Sequence, residues 1–449
     1  MIDLSIDTDK MLKEASKWKE ISPPMHAFYK GKVEVMPKAS IRSLQDFNIW
    51  YTPGVAQACL AIEKDKEKAY ELTSKWNYVA VVSDGTRVLG LGDIGGQAGM
   101  PVMEGKALIF KYLGGVDAFP ICLSTKNTEE IIQAVKWIEP SFGGINLEDF
   151  SNPKCFEILD RLRAEMPIPV WHDDQQGTAA ISLAGTINAL KLVGKKLNEA
   201  KFAIVGIGAA NTRTYYVLKA AGVNPKNIIM TDSKGTIGTY REELKETYKW
   251  PIAQETNPDN IEGELRKATK GSDIIIAASK PGPGTIKKED IEVMASDAIV
   301  FACANPVPEI WPWEAEKAGA KIVATGRSDF PNQINNSLVF PAIFRGALDV
   351  RAKTISDEMC IASATALAKY AEDKGLSKDY IIPSMDEWEI YPLQATETGL
   401  TAQKQSLARI KLSRNELYER ADTIIRRTQS IVKLLMDQGY ISPPPKELS

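Results

Sequence analysis

Two pairs of acids in this chain could hold a metal ion. "NLEDF" supplies Glu148 and Asp149 at the end of an apolar stretch, and "WHDDQQGT" supplies Asp173 and Asp174 at the end of another. Hard divalent cations such as Mg2+ or Mn2+ prefer carboxylate oxygen, so two pairs at converging strand ends could form one site. Each pair alone has a plainer use, because acids before a helix cap it or complement its dipole. Lys106 in "PVMEGKALIFKY" and Tyr51 in "YTPGV" add candidate proton-transfer groups. Beside a cationic site, a lysine on an apolar helix that starts at Pro101 has its proton affinity lowered and can serve as a base; elsewhere it is a solvated charge. Arg87, in the glycine-rich "VVSDGTRVLGLGDIGGQAG", reads as a surface charge in a tight set of turns or as an anchor for a carboxylate. Asn305 in "FACANPVPEI", and Asn335 and Asn336 in "ATGRSDFPNQINNSLVFP", lie where asparagine commonly makes turns.

A second kind of chemistry is suggested by "KFAIVGIGAANTRTYYVLKAAG". A strand, a loop with Gly206, Gly208, Ala209, Ala210 and Asn211, and a helix follow one another as in a dinucleotide-binding unit. There the first glycine makes the turn, the second admits a pyrophosphate, and the third lets helix pack on strand. Asn211 departs only from the third role. Asp232 closes the next strand at about the spacing where an acid meets a ribose hydroxyl. It favours NAD, whereas Ser233 and Lys234 after it could bind the 2'-phosphate of NADP.

These residues need elements to hold them, and the pattern supplies strands alternating with helices. "YVAVVS", "DAFPICL", "PIPVW", "KFAIVG", "NIIMTD", "DIIIAAS" and "AIVFACA" read as strands, and "NTEEIIQAVKWIE", "NPKCFEILDRLRAEM" and "GTAAISLAGTINALKLVG" as helices. Parallel sheets with crossover helices are expected. At 449 residues the chain exceeds one core, and we expect an α/β substrate and metal domain over 1–170, a Rossmann-like doubly wound domain over 171–390, and a helical extension over 391–449. Ser413 and Glu416 are spaced as a capping box for the last helix, whose apolar stripe must pack on its own chain or on a twin subunit.

Composition narrows the partners. Hydrophobic residues at 44%, charged residues at 25% and a formal net charge of -3 describe an ordinary folded chain without the basic excess that nucleic acid requires. The start "MIDLSIDTDKMLKE" does not read as a secretory signal, and no apolar run is long enough to span a bilayer. Cys59, Cys122, Cys155, Cys303 and Cys360 are scattered and odd in number, against both a disulfide framework and a cysteine zinc site; a cytoplasmic setting is expected.

In their order, "YTPGVA", "VVSDGTRVLGLGDIG", "PVMEGKALIFK", "FGGINLEDF", "HDDQQGTA", "CANPVPEI", "ATGRSDFPNQINNSLVFPAIFRGALD" and "AKTISDEMCIA" resemble the malic enzyme family in its small prokaryotic form. The resemblance spans about residues 20 to 370 and leaves out the tail beyond 400. It implies oxidative decarboxylation of L-malate to pyruvate and CO2, with NAD or NADP reduced and Mg2+ or Mn2+ required; oxaloacetate should also be decarboxylated. By motif, Glu148, Asp149 and Asp174 would hold the metal, Lys106 would be the base, and Asp173 would orient it. Tyr51 would protonate the enolate, Arg87 would grip a carboxylate, and Asn305 and Asn336 would orient the substrate, with Asn305 also at the cofactor. Relatives often carry His at Gln176 and Gly at Asn211. His26 and His172 are then structural or outer groups. The resemblance also implies a homodimer or higher homo-oligomer, with one subunit's Tyr and Lys able to serve the other's site. A malolactic reaction giving lactate with retained NAD is the alternative, and a noncatalytic nucleotide sensor would leave the acids, Lys106 and Tyr51 without purpose.

Overall fold

A computed structural model describes residues 8–448; residues 1–7, part of the stretch read above as no secretory signal, lie outside it. No helix among the described residues is long and apolar enough to cross a membrane.

The strand-like runs assemble into two sheets. β1 (Tyr78–Ser83), β2 (Asp117–Cys122), β3 (Gly144–Leu147) and β4 (Val170–His172) form a parallel sheet in the order β2-β1-β3-β4. β5 (Phe202–Val205), β6 (Ile228–Asp232), β7 (Gly235–Thr236), β8 (Ile274–Ala277), β9 (Ala298–Ala302) and β10 (Ala320–Thr325) form the second, in the order β10-β9-β8-β5-β6-β7. All of its pairings are parallel except the two-residue β7 against β6. This is the doubly wound order, with the chain reversing between β5 and β8. The short β3 and β7 and the six-residue β10 were not singled out as strands above.

The inner strands of both sheets are buried on both faces, which explains their continuous apolar runs, while edge strand β2 is half-buried along its length. One apolar core runs from Val79 and Val81 of β1 through Phe110, Phe340 and Phe344 to Phe202 and Ile204 of β5. Phe110 meets Phe340 and Phe344 edge to face at 4.6 and 5.1 Å. Helix Thr178–Leu192, buried almost throughout, lies in the chain between the two sheets.

The helix carrying Lys106 starts at Gly95, not at Pro101, and runs to Gly114. Gly95, Gly96 and Gly99, which read as turns, are part of it, while Gly85 and Gly92 do make left-handed turns ahead of it. Gly95 takes φ +78 to enter, and a Cβ on Gly96 would sit 2.7 Å from Leu123 O, so the helix approaches the end of β2 too closely for a side chain there.

The last helix, Arg414–Asp437, opens with the expected box: Glu416 N–H donates to Ser413 Oγ at 3.3 Å, and Ser413 N–H to Glu416 Oε2 at 2.7 Å. Its stripe Leu417, Ala421 and Ile425 is buried, and Ile424 packs over Gly115, so the tail covers its own chain.

Candidate functional site

β3 and β4 are neighbours, so their carboxyl ends bring the two acid pairs together. Glu148, Asp149 and Asp174 offer oxygens within 4.8 Å of one another. Lys106 Nζ lies 2.6 Å from Asp173 Oδ2 and 3.0 Å from Glu148 Oε1, and 4.4 Å from the Phe340 ring centre. Two carboxylates thus contact the ammonium directly, with Asp174 and Asp149 acting on it from farther away. Burial, reinforced by neighbouring acids, pushes Glu148 well above the usual carboxylate range and Asp149 up to about 8; burial raises Asp174 as well. Burial by itself would lower Lys106, but Asp173, Glu148 and Asp174 outweigh it and hold the ammonium above its ordinary value. Without a cation among the acids the lysine is therefore held charged, the reverse of the lowering expected beside one.

The cluster is short of positive charge, and Asp149 Oδ2 is buried without a hydrogen-bond partner. A hard divalent cation fits both facts.

Local structure aims these groups. Asp149 takes a left-handed φ of +57, held because its N–H donates to Asp174 Oδ2 at 2.9 Å and its carbonyl accepts from Arg87 N–H at 2.9 Å. Asn146 Nδ2 donates to Glu148 Oε2 at 2.9 Å, and Trp171 Nε1 to Asp173 Oδ1 at 3.0 Å. After β4 the chain makes one π-helical turn, 173–177, and a Cβ on Gly177 would collide with Asp173 Oδ1. Asn146, Trp171 and Gly177 were not anticipated, because an amide, an indole and a glycine carry no chemical signal until the acids are located.

His172 is fully buried behind the cluster, and burial pushes it down to about 3, which makes it a neutral ring. Gln176 Oε1 accepts from His172 N–H at 3.0 Å. His26 stands apart on the first helix, 2.7 Å from Ser22 O.

The nucleotide loop follows β5 as expected. Gly206 takes φ +90, and a Cβ there would meet Ser279 Cβ at 3.1 Å. Gly208 is open, with Asn152 Nδ2 the nearest atom at 3.9 Å from a Cβ, so a phosphate can approach the N-terminus of helix Ala209–Ala220. Asn211 does not push that helix away. Its Nδ2 donates to Val205 O at 2.8 Å and Gly206 O at 3.0 Å, tying helix to strand.

Asp232 is not free. Its Oδ1 accepts from Arg241 Nη1 at 2.8 Å and Lys234 N–H at 2.9 Å, and its Oδ2 from Lys249 Nζ at 2.7 Å. Burial would raise its carboxyl, but Arg241 and Lys249 hold it below the usual range. Ser233 and Lys234 are exposed beside it. Arg241 and Lys249 come from the following loop, Lys249 at its end just before helix Trp250–Glu255, where no local pattern marked them.

The remaining candidates are less closely tied. Arg87 is exposed and joins the cluster through its backbone. Asn305, also exposed, has its carbonyl 3.2 Å from a Cβ on Gly90, so the Arg87 loop meets the Asn305 loop. Asn336 Cβ is 3.0 Å from a Cβ on Gly177, beside Asp173, while Asn335 caps the short turn that follows through Ser337 N–H. Tyr51 is not brought in: it is 72% exposed and makes no hydrogen bond to Lys106 or the acids.

Family models match over most of the chain: malic enzyme, N-terminal domain, at residues 30–131 and 124–163, and malic enzyme, NAD binding domain, at 175–394. An NAD-dependent malic enzyme of Geobacillus stearothermophilus is 56% identical over 356 residues, 79% of this chain and 73% of that protein. A bifunctional malic/malolactic enzyme of Bacillus subtilis is 46% identical over 88% of this chain and 96% of its own length. The crystal structure of the Entamoeba histolytica malic enzyme superposes with a TM-score of 0.96 at 45% identity, covering 100% of this chain and 94% of that one. The tail beyond 400, which the motifs left outside the resemblance, is therefore shared with that structure.

Proposed function

The chain belongs to the malic enzyme family, whose reaction is NAD- or NADP-dependent decarboxylation of malate, and we propose how its residues divide that work. The observation that carries the reading is the set of buried Glu148 and Asp149 and half-buried Asp174, with Lys106 against Glu148, at strand ends beside the nucleotide loop. Glu148, Asp149 and Asp174 would hold a divalent cation, whose Lewis acidity would polarise the malate C2 oxygen and weaken the acids' hold on the Lys106 proton, and the loop after β5 would hold the nicotinamide cofactor, which would supply the hydride acceptor. Lys106 Nζ takes the C2 hydroxyl proton, and Asp173, fixed by Trp171, keeps Nζ aimed. Arg87 grips a substrate carboxylate, and Asn305 and Asn336 set its orientation. After C2 is oxidised, the C3–carboxylate bond breaks with loss of CO2, and the Tyr51 hydroxyl protonates C3 of the resulting enolate to give pyruvate.

Tyr51 lies in an exposed apolar band with Val35 (78%), Leu44 (84%) and Trp50 (52%), more than a lone subunit ordinarily leaves bare. The chain acts as a homodimer or larger homo-oligomer that covers this band and brings Tyr51 to a site. Five free cysteines suit a reducing, cytoplasmic setting.

The adenosine end favours NADP. Both Asp232 oxygens are occupied, and Lys249, Arg241 and Lys234 leave a cationic rim for a 2'-phosphate. Initial rates with L-malate, Mn2+ and each cofactor, reading pyruvate and reduced cofactor together, test all of this. Equal yields of the two, loss of rate on chelation and a lower KM for NADP are expected. Lactate without reduced cofactor would instead establish the malolactic reading, which the Bacillus subtilis relative makes the natural alternative.

A further inference from the structure

Glu309 is fully buried just beyond the Asn305 loop and has no role in the scheme above. Its partners are all neutral donors. Oε1 accepts from the Ser279 backbone N–H at 2.8 Å and the Ser279 hydroxyl at 2.9 Å, and Oε2 accepts from Ala304 N–H at 3.0 Å. Burial pushes the carboxyl up, against these donors. Burying a carboxylate without a cation is costly, so what it holds in place matters.

Ser279 lies two residues beyond β8 and Ala304 two beyond β9, so one side chain spans the carboxyl ends of adjacent strands. The Glu309 carbonyl adds a tie, accepting from Gly284 N–H at 3.1 Å. Both anchored points touch the cleft. Ser279 backs the first glycine of the nucleotide loop, 3.1 Å from a Cβ on Gly206, and Ala304 directly precedes Asn305. Dinucleotides cross a doubly wound sheet at the reversal between β5 and β8, with the adenosine toward β6 and Asp232. The loops after β8 and β9 therefore border the nicotinamide half.

We propose that Glu309 is a positioning residue for the reaction: its carboxylate fixes the ends of β8 and β9 so that Asn305 and the Ser279 wall meet the nicotinamide and the substrate. This rests on the reading of Asn305 given above. The position needs a carboxylate in particular. Glutamine has one acceptor oxygen and one NH2, so in either orientation its NH2 faces a backbone N–H, and one loop is released.

The test uses the full chain with saturating Mn2+, comparing wild type with Glu309→Gln. We expect kcat to fall about ten- to hundredfold and KM for malate to rise, as for a small misplacement of reacting groups. Binding of 2'-phospho-ADP-ribose, which lacks the nicotinamide, should stay within about twofold of wild type because that end is remote. Unchanged kcat and KM would overturn the proposal, as would equal loss of fragment and whole dinucleotide, the mark of a general folding defect. If Glu309→Gln does not fold, Glu309→Asp, which keeps the acceptors on a shorter arm, is read by the same criteria. A wild type that does not oxidise malate would sink the functional reading itself; a wild type that does, matched by its variant, would sink only this inference.

Discussion

At the scale of single residues, the site is a charge problem. Lys106 contacts two carboxylates, with two more acting on it from farther away, and removing its ammonium leaves them uncompensated, at a cost of about 3–5 kcal/mol for a broken buried pair. Stability and catalysis must therefore be separated. Assayed with Mn2+ present to restore positive charge, Lys106→Ala should lose roughly 10²–10⁴ in malate turnover, the usual share of a general base, while still binding NADP. Full turnover would place the base elsewhere. The acids and Asp232 were legible in the sequence because charged side chains at strand ends are conspicuous, and Lys106 because a lysine stands out on an otherwise apolar helix. Lys249 and Arg241 were not, because what makes them important is their contact with Asp232, made from a separate stretch of chain.

At the scale of elements, the β5–helix unit shows how a departure from a motif is compensated. A third glycine would allow helix Ala209–Ala220 to close on its strand by having no side chain, whereas Asn211 closes it with two hydrogen bonds. Asn211→Ala should thus destabilise the protein by about 1–3 kcal/mol, since both carbonyls lose a donor inside the fold. Thermal unfolding with and without NADP checks this, and the variant should also gain less from the nucleotide than wild type does. An unaltered melting temperature would mean that the two bonds contribute nothing net. The Lys106 helix teaches the converse: Gly96 reads as part of a turn, yet close approach to Leu123 O makes a glycine necessary there inside a helix. Apolar runs revealed seven of the strands, including three-residue β4 and four-residue β5 and β8, while four-residue β3, two-residue β7 and six-residue β10 emerged only through pairing with neighbours.

At the scale of the whole molecule, the two sheets share one continuous apolar core, and the C-terminal helices close it from outside. Among the described residues, the stretch from Val35 to Tyr51 holds the densest run of exposed large apolar side chains. Leu44 at 84% exposure is its most open large apolar residue, and burying a leucine is worth about 1.5–3 kcal/mol. Leu44→Arg should therefore leave the fold intact by circular dichroism, shift the oligomer toward monomer in light scattering, and lower activity through loss of Tyr51. A wild type that is monomeric at assay concentration and fully active would remove the dimer from the proposal.

The sequence by itself determined the alternation of strand and helix, the glycine loop and the types of charged group, because periodicity, glycine and carboxylate chemistry are local properties of the chain. Tertiary structure alone decided that the two acid pairs meet, that they hold Lys106 charged, that Asp232 is already occupied, and that Glu309 couples two loops. Each of those facts is a distance between segments far apart in the chain, set by which strands become neighbours, and no residue type or spacing along the chain encodes it.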